Sequence, residues 1–145
     1  MADLRELYVE MVTDHARKPR HRGTVDPCDH AGHGNNTLCG DVVVVTLAVD
    51  ADTITDVKFD GEGCAISTAS ADLMADAIQG KTIAEARELF REFHACVTED
   101  GSAEGLGKLA VFEGVREFPL RVKCATLVWH TLIAALDDSK EVSTE

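Results

Sequence analysis

The sequence predicts an α+β fold in which a small antiparallel sheet packs against several helices. Its 145 residues suit one domain, from 1 to 145, and 45% of them are hydrophobic, enough for one core. Two β-branched segments are neighbours in the chain, and the helical segments stand before and after them. Because strands and helices do not alternate, this order favours α+β over a doubly wound parallel sheet.

Apolar residues three or four positions apart predict the first and the last helix. The first runs from about Asp3 to Arg17 and is ended by Pro19. The last follows Pro119, because proline is favoured in the first turn of a helix. Its apolar face consists of Val122, Ala125, Trp129, Leu132, Ile133 and Leu136. The tail, residues 137–145, is expected to be frayed.

Two β-branched segments, residues 42–49 and 53–59, are joined by a short polar turn at residues 50–52. This pattern predicts an antiparallel hairpin. The segment before it, residues 20–41, contains glycines, a proline and a pair of asparagines. Such residues break regular structure, so we expect a long ordered loop there.

The middle of the chain predicts two further helices. Residues 64–79 place small and apolar side chains on one helical face. Thr82 followed by Glu85 forms a capping box, which marks the start of the next helix. A polar, glycine-rich connection is expected at residues 98–107, followed by a weak helix at about 106–112.

Charge and composition exclude several classes of function. The formal net charge is −12 and the pI about 4.8, so binding to nucleic-acid phosphates is not expected. No apolar run approaches the roughly 20 residues that cross a bilayer. The first residues mix charges among apolar side chains, unlike an export signal. We therefore expect a cytoplasmic protein without a membrane partner.

The chain has five cysteines and no CxxC pair, so a metal site must be assembled from distant segments. Cys39 precedes the first predicted strand and lies two positions before Asp41, whose carboxylate can point to the same side. Cys64 begins a helix, where the dipole stabilises a thiolate. Cys124 follows the cations Arg121 and Lys123, which also favour a thiolate.

Cys39, Cys64, Cys124 and Asp41 together form a plausible four-coordinate zinc set of three sulfurs and one oxygen. Ligand chemistry alone also permits an iron-sulfur cluster. Each cysteine has a simpler interpretation as a small packed residue. Cys96, on an apolar helical stripe, is predicted to be such a packed thiol.

Four segments in order give the chain a resemblance to the IscU/NifU-N family of iron-sulfur assembly scaffolds, most closely to its SufU branch. They are DHARKPRHRG (14–23), NNTLCGD (35–41), KFDGEGCAIS (58–67) and FPLRVKCATLVW (118–129). Lys123 stands where the IscU pattern has a histidine, and about twenty residues are inserted within 93–115. Both features are similar to the SufU branch.

The resemblance implies an IscU/SufU-like domain that binds one Zn2+ through Cys39, Asp41, Cys64 and Cys124. It also implies a sulfurtransferase that accepts persulfide sulfur from a SufS-type cysteine desulfurase for iron-sulfur cluster assembly. Cys39 is our candidate for the acceptor, and downstream assembly components would receive the sulfur. The alternative is a scaffold that builds a transient [2Fe-2S] cluster on the same cysteines.

Overall fold

The computed structural model describes residues 4–36, 40–98, 106–137 and 141–143. Each element begins and ends as follows: α1 Leu4–Arg17, β1 His30–Asn36, β2 Asp41–Asp50, β3 Thr53–Glu62, α2 Ala65–Ile78, α3 Ile83–Thr98, a 3-10 helix Gly107–Glu117, α4 Pro119–Leu136, and β4 Glu141–Ser143. The predicted α+β class, with an antiparallel sheet against helices, is confirmed.

Strands β2 and β3 form the predicted hairpin. Their pairing extends from Val42 opposite Glu62 to Asp50 opposite Thr53, so the turn itself has two residues. Those residues, Ala51 and Asp52, both have positive φ angles, of 47° and 68°. Positive φ at both central positions is typical of the turn whose twist matches that of the flanking strands.

The predicted loop at residues 20–41 is wrong for residues 30–36, which form strand β1. This strand pairs antiparallel with β2 from His30 opposite Leu47 to Asn36 opposite Asp41. Gly32 and Gly34 face helix α4, and a Cβ atom at either position would collide with Thr131. The glycines therefore permit a close approach of strand and helix, although glycine is depleted in strands and obscures the pattern.

The C-terminal tail was expected to be frayed, but part of it forms a strand. Residues Glu141–Ser143 form β4, a short strand parallel to β1. The sheet order is therefore β3-β2-β1-β4. The edge of β1 carries unpaired backbone groups that a returning chain can satisfy, which explains why a short tail becomes ordered here.

The helices follow their predicted positions. The capping box of α3 is confirmed, because the Thr82 N–H donates to Glu85 at 3.0 Å and the Glu85 N–H donates to the Thr82 hydroxyl at 3.1 Å. The weak helix expected near 106–112 is a longer 3-10 helix, Gly107–Glu117. Most of the predicted glycine-rich connection, residues 99–105, lies outside the described residues.

The core lies between the sheet and the helices. Its largest fully buried side chains include Trp129 of α4, Phe93 of α3 and Phe112 of the 3-10 helix. Phe93 contacts both others, with ring centroids 4.8 Å from Trp129 and 5.8 Å from Phe112. Among the described helices, none is long and apolar enough to cross a membrane.

A buried carboxylate fixes the segment that follows α1. Asp72 of α2 is fully buried, and its Oδ1 accepts backbone N–H groups of Arg20 at 2.7 Å and His21 at 2.8 Å. Its Oδ2 lies 2.5 Å from Nδ1 of His15. These contacts hold α1 and the following chain against α2, the helix that begins after Cys64.

Candidate metal centre

Three distant segments bring a carboxylate and two thiols to one point. Asp41 begins β2, Cys64 is the N-cap of α2, and Cys124 lies in the second turn of α4. One ligand atom from each residue lies within 4.8 Å of the others. Asp41 and Cys124 are buried and Cys64 is half-buried, so the group is largely shielded from water.

The two oxygens of Asp41 have different surroundings. Oδ1 accepts the backbone N–H of Cys64 at 2.8 Å. Oδ2 is buried and has no hydrogen-bond partner among the residues that the structure describes. A buried carboxylate oxygen without a partner loses hydration and gains nothing in return, so its position is costly unless a cation occupies the site.

Gly63 makes room for this carboxylate. A Cβ atom at Gly63 would lie 2.8 Å from Oδ1 of Asp41 and 3.2 Å from the hydroxyl oxygen of Ser67. The first distance is shorter than real Cβ contacts, and neither neighbour is the end of a long flexible side chain. A residue with a side chain at this position would therefore displace the Asp41 carboxylate.

The surroundings of Cys64 favour its thiolate. A hydrogen bond from the Cys124 side chain lowers the pKa of the Cys64 thiol from 9.0 to about 7, while burial opposes the shift. The N–H of Ser67 contributes by donating to the Cys64 sulfur at 3.4 Å. The predicted position of Cys64 at a helix start is confirmed, because its side chain caps the N-terminus of α2.

The donor set present suits zinc. Zn2+ binds thiolate and carboxylate ligands in four-coordinate sites, and the structure presents two cysteine sulfurs and one unpartnered carboxylate oxygen. Asp41, Cys64 and Cys124 are three of the four residues expected as ligands. The fourth, Cys39, lies outside the described residues; in the sequence it precedes Asp41 by two positions.

A cavity of about 460 Å³ opens beside the centre. Tyr8 of α1 and Arg121 of α4 both line it. The pKa of Tyr8 is raised above its usual value of 10.0, mainly because the side chain is buried. The nearby Arg121 opposes this shift, and Cys64 and Cys124 add to it. The Tyr8 hydroxyl oxygen is buried, and none of the described residues forms a hydrogen bond with it. Arg121 stacks over the Phe118 ring, 4.4 Å from its centroid.

The two other cysteines of the chain, Cys28 and Cys96, have different surroundings. Cys28 is exposed in the segment before β1, and Cys96 is buried in the core as predicted. Two residues near the centre were not identified as site residues from the sequence, although both lie in segments that carry the family resemblance. Gly63 belongs to an Asp-Gly-Glu-Gly sequence that by itself indicates a turn, and Asn36 belongs to a pair of asparagines typical of loops. Their packing shows that they lie near the centre.

Comparisons with known proteins agree on one family. A family model described as the NifU-like N terminal domain matches residues 7–125. A Streptococcus pyogenes serotype M1 protein named iron-sulfur cluster assembly scaffold protein IscU is 40% identical over 141 residues, which cover 96% of this chain and 88% of that protein. A Bacillus subtilis protein named zinc-dependent sulfurtransferase SufU is 39% identical over 133 residues, 90% of each chain.

Solved structures have the same fold. The crystal structure of FiSufU from Fervidobacterium islandicum AW-1, named as an iron-sulfur cluster assembly scaffold protein for the SUF system, matches with a TM-score of 0.84 and 36% identity. The match covers 90% of this chain and 97% of that one. A nitrogen-fixing NifU-like protein from Brucella abortus matches with a TM-score of 0.84 at 23% identity, which supports the fold alone.

Proposed function

Because the chain belongs to the family of NifU-like N-terminal domains, together with IscU and SufU proteins, we propose that it is a zinc-dependent sulfurtransferase of iron-sulfur cluster assembly. Its sulfur donor would be a SufS-type cysteine desulfurase carrying a persulfide. Its products would go to downstream assembly components in the cytoplasm. The B. subtilis relative named zinc-dependent sulfurtransferase supports this activity.

One observation carries the proposal. The sulfurs of Cys64 and Cys124 converge with Asp41, and the Oδ2 of that buried carboxylate has no hydrogen-bond partner within the described part of the chain. A site that leaves a buried anion unpaired beside two thiols is suited to a thiolate-binding cation. When bound, zinc would supply a divalent charge that keeps the cysteines as thiolates, and it has no redox chemistry.

Cys39 is the proposed acceptor of sulfur. Its thiolate attacks the terminal sulfur of the donor persulfide and forms a new S–S bond, while the S–S bond of the donor breaks. The donor cysteine leaves as a thiolate, and Cys39 carries the persulfide. This exchange is of the thiol-disulfide type and needs neither an oxidant nor a reductant.

Two neighbouring residues suit this exchange. Asp41 offers a single oxygen to the metal, and carboxylate is a harder ligand than thiolate, which suits a site that must rearrange to free a cysteine. Arg121 lines the adjoining cavity, where its guanidinium lies over the Phe118 ring. Its charge would attract the anionic persulfide that approaches through this cavity.

A second candidate is a scaffold that assembles a [2Fe-2S] cluster on the same cysteines. The S. pyogenes relative named as a scaffold favours it. Lys123 favours sulfur transfer instead, because this residue precedes Cys124 at the place where the IscU pattern has a histidine. A protonated amine has no lone pair for a metal and supplies no extra nitrogen ligand.

Metal analysis of protein purified without oxygen separates the two candidates. The proposal predicts about one zinc per chain and a colourless solution that increases desulfurase turnover. Iron, sulfide and visible charge-transfer bands would favour the scaffold. The variant Cys39→Ser should bind the desulfurase yet lose the increase in turnover. Cys28→Ser, an exposed cysteine away from the centre, is the matched control and should behave as the unaltered protein.

A further inference from the structure

Another buried polar side chain near the metal centre lacks a partner among the described residues. Asn36 is the last residue of β1 and is fully buried, with 0% of its surface exposed. Neither Oδ1 nor Nδ2 of its side chain forms a hydrogen bond within the part of the chain that the structure describes. Burying an amide without partners destabilises a protein, so an amide retained in this state needs a reason other than packing.

The sheet register places Asn36 beside Asp41. The two residues are direct partners in the antiparallel pair of β1 and β2, and both are buried on the same face. Side chains that are directly opposite in such a pair have Cβ atoms about 4.5–5.5 Å apart. The Asn36 amide is therefore an immediate neighbour of the carboxylate in the centre.

The packing of β1 on α4 gives a second, independent placement. A Cβ atom at Gly32 would meet Thr131 and Ala135, and one at Gly34 would meet Thr131 and Leu127. Two strand residues advance about 6.7 Å and one helical turn about 5.4 Å. Two residues further along β1, the facing part of α4 is therefore about one turn closer to the N-terminus of that helix. By this progression, the next residue on this face, Asn36, is expected level with the turn of α4 that contains Leu127 and Cys124.

The hydrogen-bond acceptors near Asn36 indicate which group its side-chain amide can bind. Oδ1 of Asp41 already accepts the Cys64 N–H, and Oδ2 is the oxygen left for a cation. Among the expected ligands of the centre, the other acceptors are the cysteine sulfurs. Hydrogen bonds from amide N–H groups to metal-bound sulfur orient the ligand and adjust its electron density.

We infer that Asn36 is a positioning residue of the centre, whose side-chain amide donates a hydrogen bond to a cysteine sulfur there once the metal is bound. This inference deepens the proposed function, because the sulfur it orients belongs to the set that takes part in persulfide transfer. Asn36 acts through that sulfur and does not itself react.

The variant Asn36→Leu distinguishes this role from simple packing. Leucine has a similar size and needs no hydrogen bond, so removing an unpaired amide should leave the melting temperature unchanged or raise it. We expect the rate constant of persulfide transfer from the desulfurase to fall about 10- to 100-fold, as for other residues that orient metal ligands. Asn35→Leu makes the same change on the opposite face of β1 and should leave the rate unchanged.

Cobalt substitution provides a readout independent of transfer. Loss of a hydrogen bond to thiolate should move the sulfur-to-cobalt charge-transfer band of Asn36→Leu to lower energy, with no shift in Asn35→Leu. An unshifted band together with an unchanged transfer rate would overturn the inference. If the unaltered protein takes up no persulfide, the proposed function fails, and the cobalt band still tests Asn36.

A measurement on the unaltered chain applies even if Asn36→Leu does not fold. In NMR spectra, one side-chain amide proton of Asn36 should shift downfield and become protected from exchange when zinc is added to the zinc-free protein. The side-chain amide of Asn35 serves as the internal control. An Asn36 amide whose shift and exchange rate do not respond to zinc would contradict the inference.

Discussion

Gly63 is the residue whose lack of a side chain matters most to the centre. Because a Cβ atom would lie 2.8 Å from Oδ1 of Asp41, Gly63→Ala should displace that carboxylate. We expect zinc affinity to fall about 10- to 100-fold, the usual effect of disturbing a ligand's orientation. Competition with a chromogenic chelator measures this loss.

Gly114 offers the matched control for Gly63. A Cβ atom at Gly114 would meet nothing within 4 Å, so Gly114→Ala should leave zinc affinity unchanged. Equal affinities for the two variants would show that the Asp41 carboxylate does not bind the metal from its present position.

Asp72 is the residue on which the attachment of α1 depends. Its carboxylate accepts two backbone N–H groups and contacts His15, and all three partners lose their acceptor in Asp72→Ala. We expect the free energy of unfolding to fall by about 3 kcal/mol, since buried partners of a removed charge stay unpaired. Urea unfolding followed by the fluorescence of the single tryptophan measures the change.

Asp76 lies one turn further along α2 and controls for loss of negative charge. Its contacts with His21 and Lys108 are longer, at 3.5 and 3.7 Å, and its side chain is half exposed. Asp76→Ala should therefore change the free energy of unfolding by less than about 1 kcal/mol. Similar losses for both variants would refute a special role for Asp72.

At the level of elements, α3 and α4 share a pair of histidines. His94 and His130 lie with ring centroids 5.4 Å apart, and both contact Phe90. Burial lowers the pKa of His130 below its usual value of 6.5, and the neighbouring His94 lowers it further. The unfolded chain therefore takes up this proton at a higher pH than the folded chain does.

This difference gives the contact between α3 and α4 a pH dependence. Because the unfolded state binds more protons in this window, the contribution of His130 to stability is complete above about pH 6.5 and declines as the pH falls below it. His130→Phe keeps an aromatic ring but does not titrate. Between about pH 7 and 5, its free energy of unfolding should decline less steeply than that of the unaltered protein.

Urea unfolding at several pH values tests the pH dependence. The comparison between variant and unaltered protein removes the common effect of the carboxylates. Parallel curves for the two proteins over this range would show that His130 titrates alike in both states.

The elements also show what the sequence could and could not predict. The helices and the β2-β3 hairpin were predictable because their periodicity and turn residues are local. Strand β1 was not, because Gly32 and Gly34 are selected by contact with α4 and not by strand propensity. Strand β4 depends on an edge that only the folded sheet provides.

The residues of the candidate site also include some that the sequence could predict and some that it could not. Cys64 and Cys124 could be predicted from their positions at helix starts, and Asp41 from its spacing to Cys39. Asn36 and Gly63 could not, because their importance arises from the strand register and from the space beside the carboxylate. The position of Cys39 stays a prediction.

At the scale of the whole molecule, a bound zinc ion would join β2, α2 and α4. Structural zinc sites contribute about 10 to 16 kcal/mol in small peptides, comparable with the total stability of about 5 to 15 kcal/mol for a domain. We therefore expect removal of zinc by a chelator to lower the melting temperature markedly, and readdition to restore it. Calorimetry at fixed protein concentration measures both steps; identical curves after verified removal would contradict a structural contribution of the metal.

The proposed function requires sulfur from a desulfurase persulfide to pass to Cys39. Peptide mass spectrometry after incubation with a SufS-type desulfurase and cysteine measures this transfer. The peptide that contains Cys39 should gain the mass of one sulfur atom, and reduction should remove it. A desulfurase that carries its persulfide while the Cys39 peptide stays unmodified would refute the proposed sulfur transfer.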